Sequence, residues 1–525
     1  MNKTMLLLKT QIYNYFSLNE LFHSEKKKGN FIFITAAGIF TLLAFLSGYN
    51  VMTALALAKM GQAHLIPAYM VSVSSFIILV FTVLRSNGIL FGGRDYEMLS
   101  SLPVKAKEII SSKFGFLYLL NYLMGILFIL PAGIVWHIYD SHHLLFFFMY
   151  LASSVFVPFV PMCIASLIGI LITAVSSKFR RKNIFSHIFS FAILGGLLGI
   201  GIYSMQTGTS GENLGVILME QVSSLYPLSA WFYYTDSISL VGNVGFWILS
   251  VLVFFIFVKI VERRYARLNS YVLQCHAASA GGKTSLKKHS VFSAMYLKEI
   301  GRYFSSYLWV LNTGLGVVLL CVVSLALCVI SPEMLGKYTG IEDVDSFLGQ
   351  FAPLIIATML SISCPSASAI SLEGKNLWIL QSVPLSNKIF LKSKIALTLT
   401  IHAIGYMLSV AVFLIRFQFN AIQALTLLVI PVCYSIFTAV QGTYINCRFP
   451  KFDWDNEMVV VKQSISVILS GAIGMICIAV PALLHWFLDV SLIKVLWGMA
   501  VILMVLSVAF YFKACSKKII LLGER

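Results

Sequence analysis

GGRDYEMLSSLPVKAKEIISSK, residues 92–113, and EGKNLWILQSVPLSNKIFLKSK, residues 373–394, are two versions of one stretch. At a constant offset of 281, without a gap, seven positions coincide: Gly93/Gly374, Leu99/Leu380, Ser101/Ser382, Pro103/Pro384, Lys107/Lys388, Ser112/Ser393 and Lys113/Lys394. Arg94/Lys375, Met98/Ile379, Leu102/Val383 and Val104/Leu385 are conservative. Self-similarity at a fixed offset argues for an internal repeat. In each copy apolar residues fall near helical spacing until a proline, which lacks an N–H and disfavours helix in the residue before it. Each copy therefore predicts a short helix, an elbow, and a second helix starting near Pro103 or Pro384, with Ser386 as a candidate cap.

Working outward, both copies are flanked by long apolar stretches. The chain of 525 residues is 59% hydrophobic and only 11% charged, with a mean hydropathy of +0.88. A soluble chain would carry about a quarter of its residues as charges. The apolar stretches are long enough to cross a bilayer as helices and lack the alternation of barrel strands. The expected fold is an all-α polytopic membrane protein of about 12 transmembrane helices. They are expected near 31–57, 65–91, 114–137, 145–175, 184–205, 243–262, 307–331, 351–372, 395–416, 422–447, 467–486 and 493–513.

Charge placement sets an orientation. With both termini in the cytoplasm, 34 of the 38 Lys and Arg residues fall on the cytoplasmic side, span ends included. Lys59, Lys337, Arg416 and Lys494 fall on the other side. This is a positive-inside distribution, and it accounts for the net charge of +17 without nucleic-acid binding. The basic run Lys26-Lys27-Lys28 precedes a long apolar stretch without a short apolar region and small-residue cleavage site, so no cleavable signal is expected.

The repeat then organises the chain into halves of six spans each, 1–262 and 296–525, with a small, polar, basic linker at 263–295. An even number of spans per half makes this a parallel repeat rather than an inverted one. Two fainter echoes agree. KFRRKN at 178–183 faces KFDWDN at 451–456, where Arg180, Arg181 and Lys182 stand against Asp453, Trp454 and Asp455. LLKTQIYNYF at 7–16 faces YLKEIGRYFS at 296–305, suggesting a surface-lying amphipathic helix ahead of each half.

Several chemistries lack their residues. Gly281-Gly282-Lys283-Thr284 resembles the end of a phosphate loop, but position 277 is Ala and no αβ domain surrounds it. The chain is therefore not expected to hydrolyse ATP itself. The nine cysteines contain no CxxC pair, and most lie within apolar stretches as small hydrophobes. His402 and Gln441 lie at membrane depth, where a lone polar residue more often bonds a neighbouring helix than carries chemistry. No metal site or catalytic constellation is expected. Lys107, Lys113, Lys388 and Lys394 read either as lipid anchors of an interfacial elbow or as part of a lever moved by a soluble partner. The uncharged VSSLYPLSAWFYY within 206–242 reads as a re-entrant segment or as an aromatic belt.

A short helix, then S-[LV]-P-[VL], then a helix ending in Ser-Lys resembles the segment between the second and third spans of type-2 ATP-binding-cassette (ABC) exporter permeases. PKFDWDNE at 450–457, with VVVKQS at 459–464, resembles the second cytoplasmic segment of large two-half exporters of Gram-positive bacteria. The resemblance implies a permease subunit of the bacterial cytoplasmic membrane, its halves paired around a central path. Two separate ATPase subunits, binding ATP and Mg²⁺, would grip coupling helices at about 94–103 and 375–384. The implied contacts are Tyr96, Glu97, Leu99, Pro103 and Lys107 in the first half. In the second they are Trp378, Leu380, Pro384 and Lys388. Phe179, Arg180, Phe452, Trp454 and Glu457 of the second loops would add to them. The sparse intramembrane charge leans toward an amphipathic or hydrophobic cargo. The alternatives are a secondary transporter, which predicts intramembrane charges and inverted topology, and a non-transporting membrane module.

Overall fold

The computed structural model describes residues 3–15, 43, 46–89, 99, 101–140, 144–176, 182–207, 226–233, 238–279, 289–330, 336, 343–454, 457–488 and 490–516. The helices of the first unit are α1 (Lys3–Tyr15), α2 (46–59), α3 (Ile66–Ile89), α4 (Ala106–Tyr139), α5 (Leu144–Ser153), α6 (Phe159–Ser176), α7 (Lys182–Thr207) and α8 (Ile238–Ser279). Those of the second are α9 (Val291–Ser305), α10 (Tyr307–Val329), α11 (Val344–Ile362), α12 (Ser366–Ala369), α13 (Leu377–Gln381), α14 (Asn387–Arg416), α15 (Ala421–Arg448), α16 (Glu457–Lys462), α17 (Ile465–Leu488) and α18 (Leu492–Cys515). No strand occurs among the described residues. Ten helical segments among them are long and apolar enough to cross a bilayer, the architecture of an all-α, multi-pass membrane protein.

Those ten coincide with ten of the expected spans. Of the span expected at 31–57, residues 31–42, 44 and 45 lie outside the described residues, and α2 covers 46–57. The span expected at 184–205 is the helix α7, whose described apolar stretch is the shorter Ile184–Gly196. The span expected at 145–175 is two helices, α5 and α6, separated by a turn that ends at Pro158. Pro158 has no N–H to continue α5, whereas Pro161 is tolerated in the first turn of α6, where N–H groups lack intrahelical partners anyway.

Contacts divide the chain at Gly282, within the expected linker. The linker is nevertheless helical through Ser279, because α8 continues 17 residues past the expected end of its span at 262. In the first unit α3 packs against α4 and α6. Its core closes with a chain of aromatic contacts: Trp136 on Tyr150 at 5.7 Å, Tyr150 on Phe232 at 6.4 Å, Phe232 on Phe246 at 5.0 Å. Phe232 belongs to the 3₁₀ turn Pro227–Phe232, so this part of the 206–242 stretch, which carries no Lys or Arg, folds inward, with Ser229 buried as well.

In the second unit α15 is central and packs against α11, α14, α17 and α18. Small residues permit close approach there. A Cβ on Gly316 of α10 would lie 2.7 Å from Ser363 Oγ, and one on Gly442 of α15 would lie 2.7 Å from Ser366 Oγ. Buried hydroxyls are satisfied along their own helices, as in Thr313 to Trp309 O, Ser324 to Leu320 O and Thr443 to Ala439 O.

α11 stops at Ser363-Cys364-Pro365. In an unbroken helix the Ser363 carbonyl would accept from the Ala367 N–H, which instead bonds Cys364 O at 3.3 Å. His402 of α14 replaces it: Nε2 meets Ser363 O, while Nδ1 lies 2.8 Å from Ser435 Oγ. Gln441 likewise donates to Ser470 O at 3.3 Å. Both polar residues thus bond neighbouring helices. His402→Leu strands a buried carbonyl and should lower stability by about 1–3 kcal/mol. Thermal unfolding in detergent checks this, with His402→Gln expected to lose less.

Candidate functional site

In the second unit the elbow, the 448–464 segment and α9 meet at one end. Asn446, at the end of α15, organises the backbone beyond the α11 break. Its Oδ1 accepts from the N–H groups of Ile370 (2.8 Å) and Ser371 (3.1 Å), and its Nδ2 donates to Ser371 Oγ (2.7 Å) and Ser466 Oγ (3.0 Å). The Trp454 indole donates to Ser371 O at 2.9 Å, and the Lys451 N–H to Ser371 Oγ at 3.0 Å. Gly374 adopts φ +54°, and a Cβ there would sit 3.1 Å from the Trp454 ring. The turn demands glycine for conformation and clearance alike.

From that base α13 projects its residues in two directions. Leu377 is buried and Leu380 partly so, packed in a cluster with Ile370, Phe390, Leu391 and Phe452. Trp378 (64% exposed), Ile379 (48%) and Val383 (53%) face outward. The following turn closes with Leu385 N–H donating to Val383 O at 2.6 Å across Pro384. α14 starts at Asn387 rather than at the proline, and the N-cap Ser386 makes no side-chain cap bond. Pro384 and Lys388 are exposed.

The first unit makes the same turn at the same offset. Val104 N–H donates to Leu102 O at 2.7 Å across Pro103. Ser112 and Ser393 make matching bonds to Ile109 O (2.8 Å) and Phe390 O (2.7 Å). Leu99 is buried against Ile109, Ile110, Phe114 and Leu117, as Leu380 packs in its own unit. Both leucines therefore anchor the elbow inward. Pro103 and Lys107 are exposed, and Lys3 of α1 donates to Pro103 O at 2.7 Å. Tyr96, Glu97, Phe179 and Arg180 lie outside the described residues.

Phe452 and Trp454 face the elbow, and Asp453 is 3.8 Å from Lys375 in an exposed pair of little energetic weight. Glu457 accepts from Ser306 Oγ at 2.5 Å, while Ser306 caps α10 by accepting from the Trp309 N–H at 3.2 Å. The second loop thus touches the elbow and the start of a membrane helix together.

The lysines correct an expectation. Lys107 and Lys388 are exposed, but Lys113 is 4% exposed and Lys394 fully buried, so neither of these two is a lipid anchor. Lys394 Nζ donates to Glu299 Oε1 at 2.6 Å and to Glu373 Oε1. Arg302 reaches Glu299 (2.7 Å), Glu373 (2.8 Å) and the Ala369 carbonyl (2.7 Å), and Lys298 reaches Glu373 at 2.9 Å. Two carboxylates, from α9 and from the start of the elbow, are bridged by three cations. Buried ions are stable only with such multiple partners. The sequence carried two signals for this cluster: the repeated Ser-Lys at 112–113 and 393–394, and a Lys-Glu pair in the otherwise amphipathic α9.

No protein-family model matches the chain, and no curated protein matches its sequence. The functional reading accordingly rests on the geometry of the elbow and its surroundings.

Proposed function

We propose that the chain is the permease subunit of an ABC exporter in a bacterial cytoplasmic membrane. It has two six-span halves in the same orientation, and both termini are cytoplasmic. Separate ATPase subunits, equal or different, bind ATP and Mg²⁺ and dock on the elbows. The chain itself hydrolyses nothing. The cargo is amphipathic or hydrophobic, such as a peptide, lipid or drug.

The observation that carries this reading is α13: a five-residue helix with an outward apolar face, held by buried anchors and joined to the membrane helix α14 by the short turn at 382–386. Exposed Trp378, Ile379 and Val383 cost free energy in water, and a protein surface that buries them recovers it. The repeated proline turn in the first unit supports a matching dock there. Phe452 and Trp454 brace the second elbow, Glu457 ties the same loop to the start of α10 through Ser306, and Asp453 lies beside Lys375.

The test is a mild-detergent pull-down of the tagged chain from its own cells. An ATPase should co-purify and be lost from the Trp378→Ala/Ile379→Ser/Val383→Ser variant. Thermal stability should change little, because these side chains are exposed. A wild-type chain that purifies alone, under conditions preserving other membrane complexes, would overturn the reading.

A further inference from the structure

The repeated stretch of the second half begins at Glu373 and ends at Lys394, and these two residues form an ion pair. The same ammonium holds Glu299 of α9 at 2.6 Å. The elbow is therefore closed on itself and fastened to α9 through one buried atom. Lys394 and Glu299 are both fully buried, so neither solvent nor a lipid headgroup can stand in for a missing partner. Arg302 adds a second tie between the same two carboxylates and reaches the Ala369 carbonyl behind them. The outward face of α13 stands between the two ends of this closure, with Leu377 and Leu380 packed beneath it.

We propose that Lys394 is a positioning residue for coupling: it makes α9, the elbow and the first turns of α14 a single rigid lever. A load applied at Trp378 then moves α14 and α9 together instead of being absorbed by a deformable turn. The source of the load rests on the ATPase reading above; the rigidity does not. A loop closed only by backbone would flex about the Ser382–Ser386 turn, where every residue but the half-buried Leu385 is exposed. The ion pair removes that freedom by fixing where the stretch enters and where it leaves.

The test is amide hydrogen exchange on the full chain in lipid nanodiscs. Glu299→Gln/Lys394→Met removes one buried charge of each sign and leaves Glu373 with Arg302 and Lys298. Residues 373–386 should exchange at least tenfold faster in this variant, while α15 and α18 keep wild-type protection. A merely structural role would instead raise exchange throughout the second unit. Glu373→Gln, which keeps the Glu299–Lys394 pair, is the second variant and should loosen the same residues. Lys392→Met, at an exposed lysine of α14 outside the implied contacts, should leave exchange at 373–386 unchanged.

With the co-purified ATPase present, a non-hydrolysable ATP analogue should alter exchange in α9 and α14 of the wild type. In the two loosened variants that change should stop at 373–386. Elbow protection equal to wild type in both variants, or a nucleotide response still reaching α14, would overturn the proposal. Should no ATPase co-purify, the comparison without nucleotide still decides the rigidity, so the two readings fail separately.

Discussion

Lys394→Met is expected to destabilise the second unit by about 3–5 kcal/mol, the usual consequence of removing one partner from a buried ion group. The substitution preserves most of the side-chain volume, so little of the loss comes from a cavity. It comes from Glu299 and Glu373, which keep their burial and lose the ammonium they share. Arg302 holds both carboxylates, so the unit is weakened rather than unfolded outright. The sign of a double variant is informative. Glu299→Gln/Lys394→Met should cost less than Lys394→Met alone, because the uncompensated carboxylate goes with the ammonium. Thermal unfolding in detergent, read by loss of monodispersity, measures both. A Lys394→Met chain as stable as wild type would mean the cluster contributes nothing net.

Gly316→Val is expected to cost a comparable amount, by the opposite mechanism. A Cβ at 316 would meet the Met359 carbonyl oxygen and, at 2.7 Å, Ser363 Oγ. The first is backbone and cannot rotate away, so α10 and α11 must separate. That separation breaks the Val317 N–H bond to Ser363 Oγ at 3.0 Å and disturbs the carbonyl that His402 satisfies. Overpacking of this kind costs about 1–3 kcal/mol, and the lost polar bonds add to it. Gly301→Val, at a glycine with open space around it, is the control and should cost about 1 kcal/mol or less. Comparable losses at both glycines would show that helix separation at 316 is cheap.

The elbow is legible in the sequence because proline acts locally. Pro103 and Pro384 mark the turns through a missing N–H, which needs no tertiary knowledge, and both turns close in the same way. Glycine at 374 is legible only as a repeated letter; its reason, the Trp454 ring and a positive φ, comes from a residue 80 positions away. The charge cluster was hidden for a different cause. A lysine beside an apolar stretch is ordinarily an interfacial anchor, and only tertiary packing distinguishes Lys388, which is exposed, from Lys394, which is not. The helix break at 363–365 was hidden because a single proline near the end of an apolar run looks the same whether the chain stops or folds back. Apolarity marks the membrane-crossing length of a helix, while the hydrogen bonds that end it come from residues remote in sequence.

The order of Glu299, Glu373 and Lys394 along the chain has a consequence for synthesis. Both carboxylates leave the ribosome before the ammonium that holds them. Until residue 394 emerges, Glu299 and Glu373 have only Arg302 and Lys298 as partners, and α9 has no reason to settle against a helix that does not yet exist. Lys394 thus begins as a charge at the edge of an apolar segment and ends as the centre of a packed one. A chain truncated between 373 and 394 should leave α9 open to protease, and one extended through α14 should close it.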